Sequence, residues 1–183
     1  MRKIHSSLLV IISIMILFSC KSEDKYEGFT KYENEEKGFS IQYPENWNYR
    51  EGFGKEIETG SIVVFQSPSE GKRDLFLENV HVFTEPLPDS VKNVDDYLEY
   101  SKIFLPSQLQ EMEILEEGKS QINGQQSRWI IFNYVNRLQR VTSIGYIFYK
   151  NDEGFVVVAT ARPEDFMGKR RLFEKIATSI KFE

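Results

Sequence analysis

The chain has 183 residues, of which 23 are basic and 28 are acidic, so its net charge is −5 at neutral pH. This acidic balance argues against nucleic-acid binding, which needs a basic surface for the phosphate backbone. Cysteine occurs once, at Cys20, so the fold has no internal disulfide and its stability must come from packing.

The first 19 residues have the composition of a signal peptide. Arg2 and Lys3 form a short positive region, and an apolar run follows at positions 8–18. This run is shorter than the roughly 20 residues that a membrane-spanning helix needs. Its end, LFSC at 17–20, resembles the lipobox of bacterial lipoproteins. The resemblance implies that residues 1–19 are removed and that Cys20 becomes the lipidated first residue.

Two other interpretations of this segment stay open at the level of sequence: an ordinary secretory peptide with an incidental cysteine, and a membrane anchor. The acidic SED segment after Cys20 resembles the surface-export signals of Bacteroidetes lipoproteins. Lys21 differs from the aspartate that marks inner-membrane retention. These resemblances imply an outer-membrane lipoprotein, with residues 20–36 as a lipidated N-terminus and flexible charged tether, and with a globular domain at 37–183.

The next part of the chain alternates between apolar and polar residues, as half-buried strands do. In GFSIQYP, Phe39 and Tyr43 would share one face, and Pro44 would end the strand. SIVVFQS at 61–67 and ENVHVFT at 78–84 predict two further strands.

A helix is predicted from a cap at Asn93 to a break or kink at Pro106. Four strands then follow: EILEEGKSQI, QQSRWIIFNYV, QRVTSIGYIFYK and EGFVVVATA. Asn123-Gly124 predicts a hairpin between the first two, and residues 151–154 predict one between the last two. The apolar centres WIIF, YIF and FVVV are typical of central strands that are covered on both faces.

A closing helix is predicted with Glu164 or Asp165 as its cap, and IKFE would add a last short strand. The buried stripe of this helix would consist of Phe166, Leu172, Phe173, Ile176, Ala177 and Ile180. The elements together predict an α+β fold, with a central antiparallel β-sheet and helices packed on its faces.

The order of these elements resembles the PsbP-like family. GFSIQYPENWNYREG carries its opening signature, a strand that ends in Tyr-Pro and is followed by a tryptophan, with Phe39, Tyr43, Pro44 and Trp47 on it. The resemblance covers residues 37–183 and implies the α/β/α sandwich of that family. Members include extrinsic subunits of the photosynthetic oxygen-evolving complex and bacterial lipoproteins. Their common property is docking onto other proteins, and no catalytic residue is implied.

His81 is the single histidine after the signal peptide and the first residue to test for chemistry. A structural or surface role is favoured, because zinc sites typically use several His or Cys ligands. A serine–histidine–acid triad on His81 has no supporting motif. Trp47 would fill one end of the sandwich, with anchoring of a partner as the alternative.

Three charged runs are the remaining candidates. Asp95-Asp96 and Glu116-Glu117 are adjacent acids whose side chains point in different directions, so neither predicts an acid–base dyad. Lys169-Arg170-Arg171 predicts a solvated helix face, with an anionic headgroup or acidic partner as the alternative ligand. No metal site and no cofactor site are predicted.

The predicted function is that of a non-enzymatic, lipid-anchored envelope protein. It would reach the membrane through the acylated Cys20 and bind another envelope protein as an accessory module. The alternatives are a carrier of a small ligand or metal, with a pocket between sheet and helix, and a hydrolase-type enzyme built around His81.

Overall fold

The computed structural model describes residues 25–52, 60–72, 74 and 76–183. The predicted signal peptide and Cys20 lie outside these residues. Ten strands and two helices lie within them: β1 (Phe29–Asn34), β2 (Phe39–Pro44), β3 (Asn48–Glu51), β4 (Ser61–Gln66), β5 (Asn79–Pro86), α1 (Val94–Gln108), β6 (Gln110–Ile122), β7 (Gln125–Asn136), β8 (Gln139–Lys150), β9 (Glu153–Ala161), α2 (Pro163–Ala177) and β10 (Lys181–Phe182).

Seven strands form one antiparallel sheet in the order β3-β4-β5-β9-β8-β7-β6. β8 and β9 lie near its middle, as their apolar sequences predict, because central strands are covered on both faces. β1, β2 and β10 form a second, three-stranded sheet. The predicted α+β class and the central antiparallel sheet are confirmed.

The large sheet is covered differently on its two faces. On one face α2 and the small sheet bury a cluster that includes Phe39, Ile144 and Phe173. On the other face α1 buries a second cluster around Tyr97 and Ile130. The second sheet was not predicted, because the alternation in β2 shows that one face is buried but not which element covers it.

β1 corrects the predicted tether, because residues 29–34 form a strand rather than a flexible segment. Tyr32 is buried there, and its hydroxyl donates to Glu51 at 2.9 Å. Burial raises the pKa of Tyr32 to about 12. The other side chains of β1 are exposed or half-buried. One inward aromatic among charged residues gives too weak a period-2 signal to predict a strand.

The first helix begins as predicted. Asn93 Oδ1 accepts from the backbone amides of Asp95 at 2.9 Å and Asp96 at 3.0 Å, so it caps α1. Pro106 lies inside the helix, which runs two residues further to Gln108. The helix is therefore not broken at Pro106 itself.

The cap of α2 was predicted wrongly. The helix follows Arg162, with Pro163 in its first turn and no side-chain cap. Proline suits that position because its fixed φ is helical and its missing N–H would be unpaired anyway. Asp165 instead binds the Arg162 guanidinium at 2.7 Å. The predicted stripe is buried except for Leu172, which is half-buried.

Two-residue turns join the four consecutive strands β6 to β9. Asn123-Gly124 has φ of 48° and 86°, and Asn151 and Asp152 have 53° and 64°. Both predicted hairpins are confirmed, although the second turn ends at Asp152 and Gly154 lies in β9. The β7–β8 turn consists of Arg137 and Leu138, with φ of 46° and 74°.

Candidate functional site

Trp47 is buried in the cluster beneath the small sheet, with 8% of its surface exposed. Its backbone N–H donates to the carbonyl of Pro44 at 2.9 Å, so the chain turns sharply after β2. The predicted structural role of Trp47 is confirmed, and the side chain is not placed to anchor a partner.

His81 lies beside a serine that no sequence motif singles out. Its Nε2 lies 2.6 Å from the Oγ of Ser61, on the neighbouring strand β4. A register shift between Ser61 and Val63 pairs Ser61 with Phe83, and the Phe83 ring lies 5.5 Å from His81. This bulge brings the serine beside the histidine, and only the sheet register reveals it.

The Ser61–His81 contact resembles a nucleophile and its base, since such pairs lie within hydrogen-bond distance. Ser61, however, is buried, which limits access to a substrate. No cluster of three or more His, Cys, Asp or Glu side chains that could hold a metal occurs within residues 25–52, 60–72, 74 and 76–183.

The two predicted acidic pairs act in ion pairs and in capping. Asp95 binds the buried Arg128 of β7 through two bonds, of 2.8 and 2.5 Å, and lies 3.2 Å from Lys119. Hydrogen bonds from Arg128 and then Lys119 lower the pKa of Asp95 to about 2. Asp96 accepts from the Lys92 amide at 3.0 Å, next to the helix cap.

Glu116 and Glu117 on β6 pair with cations of different helices: Glu116 with Arg170 of α2, and Glu117 with Lys102 of α1. Arg170 lies 3.2 Å from Glu116 and 2.9 Å from Glu174, and its guanidinium stands 5.9 Å from the Trp129 ring. Glu117 binds Lys102 of α1 at 3.2 Å. The prediction of a solvated basic face therefore fails for Arg170, which is half-buried and paired.

Lys169 lines a charged cleft of about 430 Å³ beside the loop that precedes β5. It binds Glu70 at 2.9 Å and lies 3.8 Å from the buried Glu78. Arg162 on the same cleft binds Asp165. Three basic and four acidic residues line the cleft, so it has no excess positive charge for an anionic headgroup. Arg171 is the exposed member of the basic run.

An apolar cavity of about 50 Å³ lies between α1 and the large sheet. Ser101 and Leu105 line its helix side, and Phe83, Phe132 and Val158 are among the residues of its sheet side, with Gly145 at its floor. Glu85 is the ionisable group on the wall, and its Oε1 accepts a short hydrogen bond from the buried Tyr97 hydroxyl. Burial, and next the charge of Glu85, raise the pKa of Tyr97 far above its ordinary range.

Comparison with solved structures shows the same fold in distant proteins. The solution structure of cyanobacterial PsbP (CyanoP) from Synechocystis sp. PCC 6803 is 16% identical and has a TM-score of 0.62, over 85% of this chain and 93% of that one. LpqN, involved in cell envelope biogenesis of Mycobacterium tuberculosis, is 10% identical with a TM-score of 0.58, over 84% of this chain and 89% of that one.

A third structure, PA94 of Pseudomonas aeruginosa, is 12% identical with a TM-score of 0.55, over 80% of this chain and 92% of that one. No curated protein sequence matches the chain significantly. Among the described residues, neither helix is long and apolar enough to cross a membrane.

The sequence model of the PsbP family matches residues 27–182, which is most of the chain. The chain therefore belongs to the PsbP family.

Proposed function

We propose that this protein is a lipid-anchored member of the bacterial cell envelope, and that its PsbP domain binds another envelope protein as a non-enzymatic accessory module. The family match begins at residue 27, seven positions after the lipobox Cys20. This arrangement of one folded domain directly after an acylation motif carries the proposal. The similarity to LpqN, which is involved in cell envelope biogenesis, supports the location.

An acylated Cys20 would hold the domain at the membrane without a spanning helix. Each buried acyl methylene contributes about 0.8 kcal/mol, so several chains give stable attachment. The acidic segment after Cys20 supports delivery to the outer membrane. The docking role follows from the family resemblance, because PsbP-like proteins share binding to other proteins and no common reaction.

The anchor is tested by labelling cells with an alkyne analogue of palmitate. We expect labelling of the full chain and none of Cys20→Ser, while Ser22→Ala, a matched change two residues away, stays labelled. The wild type should sediment with outer membranes on a density gradient, and Cys20→Ser should be released from them. Labelled Cys20→Ser protein would refute acylation at this residue.

The accessory role is tested by mild cross-linking in the native envelope, followed by purification of the tagged full chain. One protein should be recovered repeatedly with the wild type and in much lower amount with Cys20→Ser, which is no longer held beside it. Failure to recover any reproducible partner from intact cells would count against the proposal.

The alternative of a small-ligand carrier gains one observation, since a cavity does lie between α1 and the sheet. Its volume of about 50 Å³ is far below the roughly 300–1,000 Å³ of ordinary ligand pockets. Native mass spectrometry of the purified full chain decides this alternative. A stoichiometric bound species would support a carrier, and an unliganded mass in every preparation would reject it.

A further inference from the structure

The cavity under α1 has a glycine where a strand would be more stable with a side chain. Gly145 lies in the interior of β8, and its pairing with β7 and β9 runs through without a register shift. Glycine in such a place weakens a strand and often marks a close approach of another group. Because β8 has no bulge here, the strand itself gives no reason for glycine.

Packing does not require this glycine either. A Cβ on Gly145 would lie 3.6 Å from Val158 and 3.7 Å from Phe132, which are ordinary van der Waals contacts. By contrast, a Cβ on Gly154 of the next strand would lie only 2.5 Å from the Tyr97 hydroxyl. The smaller residue at Gly145 therefore leaves an open space rather than avoiding a clash.

Phe83, Leu105 and Val158 line the cavity and are half-buried, so they mark its opening. Two aromatic residues of α1 precede Leu105. Tyr100 and Phe104 are half-buried and stack with their ring centroids 5.4 Å apart. Lys102 on α1 reaches Glu117 of β6, and helical spacing places Tyr100 and Phe104 on the opposite side of the helix, towards β5. Phe83 of β5 is also half-buried. Half-buried aromatics around a pocket are typical of sites where binding energy concentrates.

The volume and charge of the cavity define its occupant. A space of about 50 Å³ is too small for a lipid or a cofactor and matches the end of one aliphatic side chain. The Tyr97 hydroxyl donates a hydrogen bond to Oε1 of Glu85. The second carboxylate oxygen can also accept hydrogen bonds. A half-buried carboxylate favours a cation beside it.

We propose that this cavity receives one aliphatic side chain of a partner protein, and that a basic residue next to it in the partner pairs with Glu85. The inference rests on the proposed accessory function and names the surface that carries it. α1 and β5 provide the two walls of the site, and Gly145 keeps it open. A larger side chain at position 145 would fill the cavity from the sheet side. It should therefore prevent binding of the partner without changing the exposed surface.

The test places the photo-cross-linker p-benzoylphenylalanine at Phe104 in the full chain within its native envelope. We expect one cross-linked protein band. Gly145→Val should lower its yield about tenfold or more, because the buried anchor of an interface dominates affinity. Gly168→Ala is the matched control, since a Cβ there has no atom within 4 Å, and it should keep the band. Glu85→Gln should also weaken it.

Folding is checked separately, because valine could overfill the site. Gly145→Ala adds one methyl with ordinary contacts, and its Tm should rise by about 2–4 °C, as expected for an alanine in a strand. The proposal requires that this folded variant also lose cross-linked product relative to Gly168→Ala. An undiminished band in Gly145→Ala would overturn it, as would a lipid adduct at position 104.

A second cross-linker position separates this inference from the proposed function. Met167 is exposed on α2, on the other side of the sheet. A partner captured from Met167 but not from Phe104 would overturn the cavity as a docking site and leave the accessory role intact. No partner from either position would refute both.

Discussion

Asp95 stands in the first turn of α1, where a negative charge is favourable at the positive end of the helix dipole, and it also binds β7. Its partner Arg128 is buried and donates a further bond to the Ser127 carbonyl at 2.9 Å. The sequence indicated the helix end but not the ion pair, because the two residues are 33 positions apart. The depressed pKa of Asp95 makes this pair visible in the pH dependence of stability.

Replacing Asp95 by Asn should lower stability at neutral pH. The pKa of about 2 lies below the ordinary 3.8, so the ionised carboxylate stabilises the fold above about pH 4 and this contribution is lost as pH falls towards 2. Urea unfolding curves of wild type and Asp95→Asn should therefore converge over that interval. Asp89→Asn, an exposed neighbour, should follow the wild type, and a constant gap down to pH 2 would contradict the assignment.

Ser61 and His81 allow a second measurement on single side chains. If the 2.6 Å contact stabilises the fold, Ser61→Ala and His81→Ala should be non-additive. A double-mutant cycle of urea unfolding should give a coupling energy of about 1 kcal/mol, the usual net value of a hydrogen bond. Strictly additive losses would show that the contact does not contribute to stability.

At the scale of the elements, the turn between β7 and β8 differs from the other two. Both of its residues, Arg137 and Leu138, adopt positive φ, and Leu138 is 96% exposed. Asn123-Gly124 has residues that tolerate this conformation, so the sequence predicted that hairpin and not this one. Asn136 pairs with Gln139, so only Arg137 and Leu138 are left for the turn. Both therefore adopt a positive φ that neither residue type favours.

Changing Arg137-Leu138 to Asn-Gly should raise the free energy of unfolding by about 1–2 kcal/mol, because a left-handed conformation is strained for residues with a Cβ. Leu138 loses no burial, since it is almost fully exposed. Thermal and urea denaturation measure the gain. The converse change of Asn123-Gly124 to Ala-Ala should destabilise, and equal behaviour of both turns would contradict this explanation.

At the scale of the whole molecule, the sequence predicted the parts that depend on local signals. The Asn93 cap, the hairpin at Asn123-Gly124 and the apolar central strands all follow from short-range rules. The missed features depend on distant chain segments. Gly145 was visible in the middle of an apolar strand, but the helix above it and the cavity between them needed three dimensions.

Edge protection is also a property of the whole molecule. β6 is a 13-residue edge strand of the large sheet, and its pairing with β7 has two register shifts. Long regular edges invite pairing between molecules, and charges and bulges prevent it. Glu111 of β6 pairs with Arg140 of β8, and three further glutamates occupy this edge at positions 113, 116 and 117.

Replacing these three glutamates by glutamine should promote self-association, detected by light scattering at increasing protein concentration. The control removes three charges elsewhere on the exposed surface, at Glu35, Glu36 and Glu45. We expect the control to stay monodisperse. Similar association of both variants would assign the effect to net charge rather than to the β6 edge.

The early start of β1 would restrict how far a domain anchored at Cys20 could move from the membrane. Because the strand begins at Phe29, an attachment at Cys20 leaves nine peptide units, which span at most about 30 Å. A domain of this size has a radius of gyration of about 15 Å. An anchored molecule would therefore search for its partner in two dimensions, within a layer about as thick as itself. Protein surfaces that lie farther from the bilayer would be out of reach. The length of the segment between Cys20 and β1 would therefore itself select partners.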